Sequence, residues 1–198
     1  MNETLMKEFD RVIWIALERL LGMGDYYNET LVRLRGGLIL RNAVEEIEKR
    51  LNCKDTDNCL YFYGLSAHDV TLVALFSLFN EISQFLGEIP HIGYGANVVF
   101  ELWNINGQYK IKILYANQYD EEPFPITKFA KGCDGKEEFC DISNFLNASH
   151  SLYPSDLIKE CASTSREINL DSESDGKLVK RAIETDYLDE ILEPLLWM

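Results

Sequence analysis

Apolar residues recur along this chain with two different periods, and the changes of period mark its elements. Leu5, Phe9, Val12, Ile13, Ala16, Leu20 and Leu21 stand at helical spacing over residues 4–22 and stop at Gly22 and Gly24, which predicts an amphipathic helix. Leu31, Leu34, Leu38, Ile39, Ala43, Val44, Ile47 and Leu51 predict a second helix, from Asn28 or Thr30 to about Leu51. Gly36-Gly37 falls inside it, where each glycine costs an exposed helix about 1 kcal/mol. Either another element packs closely on that face, or the helix starts only after the glycines.

Residues 60–64, Leu-Tyr-Phe-Tyr-Gly, are an apolar run rich in aromatics and predict a buried strand. Helical spacing returns at once through Val70, Leu72, Val73, Leu75, Phe76, Leu78, Phe79 and Ile82, with Asp69 as a good N-cap. His68 and Asp69 are thereby expected where the carboxyl end of a strand meets a helix N-terminus. Free N–H groups favour an anion at such a junction, and open α/β sheets bind their ligands there. The plainer role for the pair is to cap the helix.

Further on, Val98, Phe100 and Leu102 alternate on one face of a strand over 96–104, and Tyr109, Ile111, Ile113 and Tyr115 on one face of a strand over 108–117. Asn106-Gly107 between them is the strongest short signal for a hairpin. Glu121-Glu122-Pro123-Phe124-Pro125 breaks regular structure, and a short helix is expected near 142–147. Three segments result: a domain over 1–160, a Ser/Thr/Asp/Glu-rich linker over 161–176, and a tail over 177–198 with helical spacing through Leu178, Val179, Ala182, Ile183, Leu188, Ile191 and Leu192.

Composition narrows the partners. With 46% apolar residues the chain can build a core, and with a formal charge of −14 it repels nucleic acid. A phosphate-bearing ligand meets the same repulsion, which eases as carboxylates protonate near about pH 4–5. No run approaches the ~18 apolar residues that span a membrane. Cys53 and Cys59 bracket one short polar loop, and Cys133 and Cys140 another. Both loops suit local disulfides, each contributing roughly 2 kcal/mol, although buried free thiols remain the alternative. No Cys-x-x-Cys or His-x-x-x-His spacing supports a metal site. Cys161 is left over, which in a secreted protein points to a partner outside the sequence. Asn2, Asn28 and Asn147 head Asn-x-Ser/Thr sequons, Asn28 and Asn147 being the candidates for glycosylation. Residues 1–10 carry no signal peptide, so the expectation is that a secretory beginning is missing.

Arg33-Leu34-Arg35-Gly36-Gly37-Leu38, then Tyr63-Gly64-Leu65-Ser66-Ala67-His68-Asp69-Val70-Thr71, then residues 96–103 resemble the carboxyl-terminal half of histidine acid phosphatases of the animal prostatic and lysosomal type. Tyr115-Ala116-Asn117, Glu122-Pro123-Phe124-Pro125 and Gly132-Cys133 with Cys140 continue the resemblance in order, from about Leu31 to Leu157. It implies an α/β fold, a mixed sheet flanked by helices, present here as an incomplete carboxyl-terminal half with a helical tail. It further implies two-step hydrolysis of phosphomonoesters through a phosphohistidine, with no cofactor and no metal. His68 is then the phosphate contact and Asp69 the proton donor to the leaving alcohol. Phosphoryl transfer needs positive charge on its equatorial oxygens and a proton for the departing alkoxide, and this pair suits both.

The family's nucleophile sits in an Arg-His-Gly-x-Arg-x-Pro motif, and Arg-His-Gly occurs nowhere in the 198 residues. His91 and His150 lack that context. The resemblance therefore implies a fragment of an acid phosphatase, inactive as this chain alone and poorly soluble without its missing half. Its substrates would be small phosphomonoesters or phosphoproteins, its location secreted or lysosomal, and its relatives often dimerise. The alternative is a non-catalytic secreted protein of that descent that binds phosphorylated ligands or partners, with Trp14 or Trp103 on a partner surface or, more simply, in a core.

Overall fold

The computed structural model describes residues 3–54, 58–88, 90–133, 135 and 138–161. Apart from Cys161, all of these belong to one unit, Met1–Glu160. The linker and helical tail expected over 161–198 lie outside the described residues, except Cys161 itself.

The amino-terminal part is helical: α1 (Glu3–Leu21), α2 (Glu29–Arg35), α3 (Gly37–Asn52), α4 (Asp69–Phe76) and the single turn α5 (Ser83–Leu86). A hairpin follows, β1 (Asn97–Ile105) and β2 (Gln108–Ala116), then the two-residue strands β3 (Phe124–Pro125) and β4 (Cys140–Asp141), and helices α6 (Ile142–Ser149) and α7 (Leu157–Cys161). The result is a mixed α/β fold, an antiparallel sheet flanked by helices. β2 is its centre: it pairs with β1 along one edge, and with β3 and β4 at different heights on the other.

The hairpin forms in the register that the alternation implies. Val98 faces Tyr115, Phe100 faces Ile113 and Leu102 faces Ile111. Asn106 and Gly107 both take positive φ, +53° and +82°, as a two-residue turn with the right twist requires. The Asn104 side chain accepts the Gly107 N–H at 2.9 Å. β3 adds a short pairing where only a break was expected, since Pro125 needs no N–H partner at Leu114.

The core lies between the sheet's inner face and α3, α4 and α6. Leu40, Val44, Phe76, Ile111, Ile113, Tyr115, Ile126 and Phe145 are all buried in it. Phe76 meets Phe79, Phe85 and Tyr115 edge-on, with ring centroids 5.0 to 5.8 Å apart. Disulfides join Cys53 to Cys59 and Cys133 to Cys140.

The glycine pair resolves toward the close-packing alternative. Gly36 is helical, its N–H bonded to Val32 O, so α2 and α3 run on with only a break in regularity. A Cβ on Gly36 would strike the Ala74 carbonyl of α4, and one on Gly37 would strike the backbone of Leu152 and Tyr153. Two elements thus cross α2–α3 where it has no side chains.

Two expectations fail. First, residues 60–64 are not a buried strand. Tyr61 and Phe62 are 81% and 83% exposed, and no backbone group of 60–67 is hydrogen-bonded to another described residue. A run of strand formers becomes a strand only beside a partner strand, and among the described residues none lies alongside. Second, the apolar stripe read on α1 is, apart from Leu21, not its packed face. Leu5, Phe9, Val12, Ile13 and Leu20 are exposed, while Trp14 and Leu21 are buried against Met23, Val73 and Ala74 with Leu17 alongside. Trp14 is therefore a core residue, and its indole N–H donates to Glu18 at 3.0 Å.

Candidate functional site

His68 and Asp69 stand at the head of α4, one position from where the sequence put them. His68, not Asp69, is the N-cap, with extended backbone (φ −91°, ψ 165°), and its side chain makes no capping bond. The His68 carbonyl accepts the Thr71 N–H at 3.0 Å. Asp69 is the first helical residue, and its carboxylate accepts the Val70 N–H at 2.7 Å. An acidic residue in the first turn complements the helix dipole. Both side chains are exposed.

α4 is fixed from behind. Val73 and Ala74 pack on Trp14 and Leu21 of α1, Leu75 and Phe76 enter the main core, and Gly36 admits the Ala74 carbonyl. The Arg-Gly-Gly stretch and the His-Asp stretch, separate in sequence, meet here through the packing of α2–α3 on α4. In front of the helix the situation reverses. The side chains of residues 60–67 are exposed, and the Arg50 guanidinium sits 4.9 Å from the centre of the Tyr61 ring.

Two hollows of the unit lie away from this helix start. One is lined by Glu45, Glu48, Lys49, Asn52 and Cys53 at the end of α3, the other by residues such as Val32, Arg33, Ser77, Asn80 and Lys131. The latter holds an arrangement the sequence gave no sign of: Arg33 pairs with Glu160 of α7 at 3.0 Å and donates to the Tyr153 carbonyl at 3.2 Å. The contact spans 127 residues, so no local pattern could announce it. Arg33 is thereby a tether for the carboxyl-terminal part of the unit.

The other two histidines lie elsewhere in the unit. His150 lies in a 3-10 turn, Nε2 3.1 Å from a Glu48 carboxylate oxygen and edge-on to Tyr153. His91 is exposed on the approach to β1. Asn28 and Asn147 are both exposed; the Asn28 side-chain oxygen caps α2 by accepting the Leu31 N–H at 3.1 Å. Cys161 is free and exposed, and Trp103 is half-exposed, its indole N–H on Glu101 at 2.9 Å. No helix among the described residues is long and apolar enough to cross a membrane.

The unit is mixed α/β with a His-Asp pair exposed at a helix head, and comparison with known proteins supplies its family. The family described as "Histidine phosphatase superfamily (branch 2)" matches residues 2–116, which include His68 and Asp69. The chain belongs to that superfamily. It is 21% identical over 168 residues to the Caenorhabditis elegans protein named "Putative acid phosphatase 1", covering 81% of this chain and 39% of that protein. It is 24% identical over 162 residues to the prostatic acid phosphatase of Rattus norvegicus, covering 82% of this chain and 38% of the relative. With the human prostatic acid phosphatase it shares 24% identity over 132 residues, 67% of this chain and 31% of the relative. The chain thus spans less than two fifths of the length of these curated relatives.

Proposed function

We propose that this chain contributes the phosphate-contacting and proton-donating side of an acid phosphatase site. His68 contacts the phosphoryl oxygens, and Asp69 protonates the leaving alcohol. The histidine that accepts the phosphoryl group is supplied from outside the 198 residues. The observation that carries the reading is the membership of residues 2–116 in the histidine phosphatase superfamily, with His68-Asp69 exposed at the head of α4.

The chemistry follows from the placement. An extended residue at an N-cap stands beside the positive end of the helix dipole, so an imidazolium at His68 and that dipole act on one anion. Asp69, one residue on, is exposed and able to exchange protons with solvent between turnovers. A carboxyl group can release its proton only when it holds one, so the reaction is favoured in acid. The same acidity lowers the repulsion that a chain of charge −14 exerts on a phosphate ester.

Leaving-group dependence tests the assignment. In a chain completed by the rest of a phosphatase domain, Asp69→Asn should slow hydrolysis of an alkyl phosphate by roughly 10² to 10⁴. It should slow p-nitrophenyl phosphate far less, because p-nitrophenolate leaves without a proton. Equal losses with both esters would remove Asp69 from the role of general acid.

A further inference from the structure

Asn-Gly occurs once in the 198 residues, at Asn106-Gly107. An asparagine is most open there to attack by its own backbone, because glycine puts no side chain in the way of the attacking nitrogen. The Gly107 nitrogen adds to Asn106 Cγ, and its proton passes to base in the solvent. A C–N bond forms, closing a cyclic imide. The Cγ–Nδ2 bond breaks, and ammonia leaves with a proton from water. Water then opens the imide at either carbonyl, giving aspartate or isoaspartate. Solvent supplies every reactant, and it reaches the step: both residues are exposed, and a Cβ built on Gly107 would meet nothing.

The folded turn opposes this chemistry. Attack needs the Gly107 nitrogen to give up its proton and to swing toward Asn106 Cγ. That N–H is donated to the Asn104 side-chain oxygen at 2.9 Å, which holds the proton in place and fixes the peptide plane. Both turn residues are locked at positive φ, +53° and +82°, between strands paired at Ile105 and Gln108. Asn104 is itself followed by β-branched Ile105, which crowds the same reaction at its own carbonyl.

We propose that Asn106 is a site of spontaneous deamidation, and that the Asn104 side chain holds it shut in the folded hairpin. Conversion in the native chain then waits on opening of the turn. Its product matters to the fold. Either acid adds a negative charge to a chain already at −14, and isoaspartate also adds a methylene to the backbone. A two-residue turn has no slack for that carbon, so Ile105 and Gln108 part first. Asn104 thus guards the turn that sets the register of β1 on β2.

Incubation of the full 198-residue chain in mildly alkaline buffer at submicromolar concentration tests the proposal, folded and in concentrated urea. Peptide mass spectrometry counts aspartate and isoaspartate at position 106. The folded chain should convert at least about tenfold more slowly than the chain in urea. Asn104→Ala should raise the folded rate by about three- to tenfold and leave the rate in urea unchanged. Asn104→Asp, whose carboxylate accepts the same N–H, should stay near the parent rate. Amide exchange at Ile111 and Ile113 should remain slow in both variants. No conversion in urea overturns the site, and equal rates folded and in urea overturn its protection. An Asn104→Ala chain no faster than the parent removes Asn104 from the role. An Asp variant as fast as the Ala variant overturns the hydrogen bond as the cause. Fast exchange at Ile111 and Ile113 in Asn104→Ala also overturns it, in favour of lost folding.

Discussion

Gly36 lies directly beneath the carbonyl oxygen of Ala74, so close that a single methyl group on Gly36 would displace α4. The contact joins the Arg-Gly-Gly stretch to the helix whose first turn carries Asp69. Two effects oppose each other in Gly36→Ala. Alanine gains up to about 1 kcal/mol of helix propensity, whereas a clash with backbone in a packed interface costs about 1–3 kcal/mol. Backbone cannot rotate away as a side chain can, so the clash wins. Urea unfolding followed by tryptophan fluorescence at submicromolar protein should show net destabilisation by about 1–2 kcal/mol. A stabilised variant would mean that α4 does not rest on Gly36.

At the other end of the unit, Asp141 caps α6, its carboxylate accepting the Ser143 N–H at 2.9 Å and the Ser143 hydroxyl at 2.6 Å. The Ser143 side-chain and backbone bonds hold its carboxyl below the ordinary 3.8. A depressed folded value stabilises the protein above the unfolded pKa, and the benefit is lost as pH falls through the folded one. The cap is therefore intact at the mildly acidic pH of the proposed reaction. Asp141→Ala should cost about 1 kcal/mol at pH 5. The difference from the parent chain should shrink once pH drops below 3.8. A difference independent of pH would deny the carboxylate its capping role.

Tyr115 behaves oppositely. Burial first, and then the nearby Glu121 charge, push its phenol from 10.0 up to about 12. Its hydroxyl donates to the Asn117 side-chain oxygen at 2.6 Å while its ring packs on Phe76. A raised folded value contributes stability that is complete below pH 10 and lost as pH rises through about 12. Ultraviolet difference titration of the chain against Tyr115→Phe should assign the last phenolate step to this residue. An early step would place Tyr115 in contact with water.

The uncovered apolar groups have a cost that the isolated chain must meet. Each large apolar side chain left in water forgoes about 1.5–3 kcal/mol of burial, and Tyr61, Phe62, Leu5 and Phe9 are all more than half exposed. Sedimentation at rising concentration should show heterogeneous association rather than a defined dimer. Phe9→Asp should reduce it. A monomer with one cooperative thermal transition at all concentrations would contradict this.

What the sequence revealed divides along a physical line. The hairpin was legible because Asn106-Gly107 and the alternation on either side are local, and the register follows from the turn. The span of α1 was legible from its period and from Gly22, which ends it at φ +71°. Which face of α1 packs was not, because Leu5, Phe9 and Val12 form one apolar stripe and Trp14, Leu17 and Leu21 another, with Leu21 read as part of the first, and only tertiary contact chooses between them. Residues 60–64 show the same limit more sharply. Period and composition report what a segment is suited to become, and here the partner strands that would make it so are not among the described residues. The helix start at His68-Asp69 was legible to within one residue, because a helix N-terminus is written in adjacent residues, while the strand expected before it was not.

Hydrolysis of p-nitrophenyl phosphate at pH 5 tests the central claim most directly, with the chain alone, with rat prostatic acid phosphatase lacking the segment that matches this chain alone, and with the two together. The account predicts no turnover from either part and turnover from the mixture, abolished by His68→Ala in this chain. Turnover by the isolated chain, lost with His68→Ala, would contradict it by placing the phosphoryl acceptor within these 198 residues.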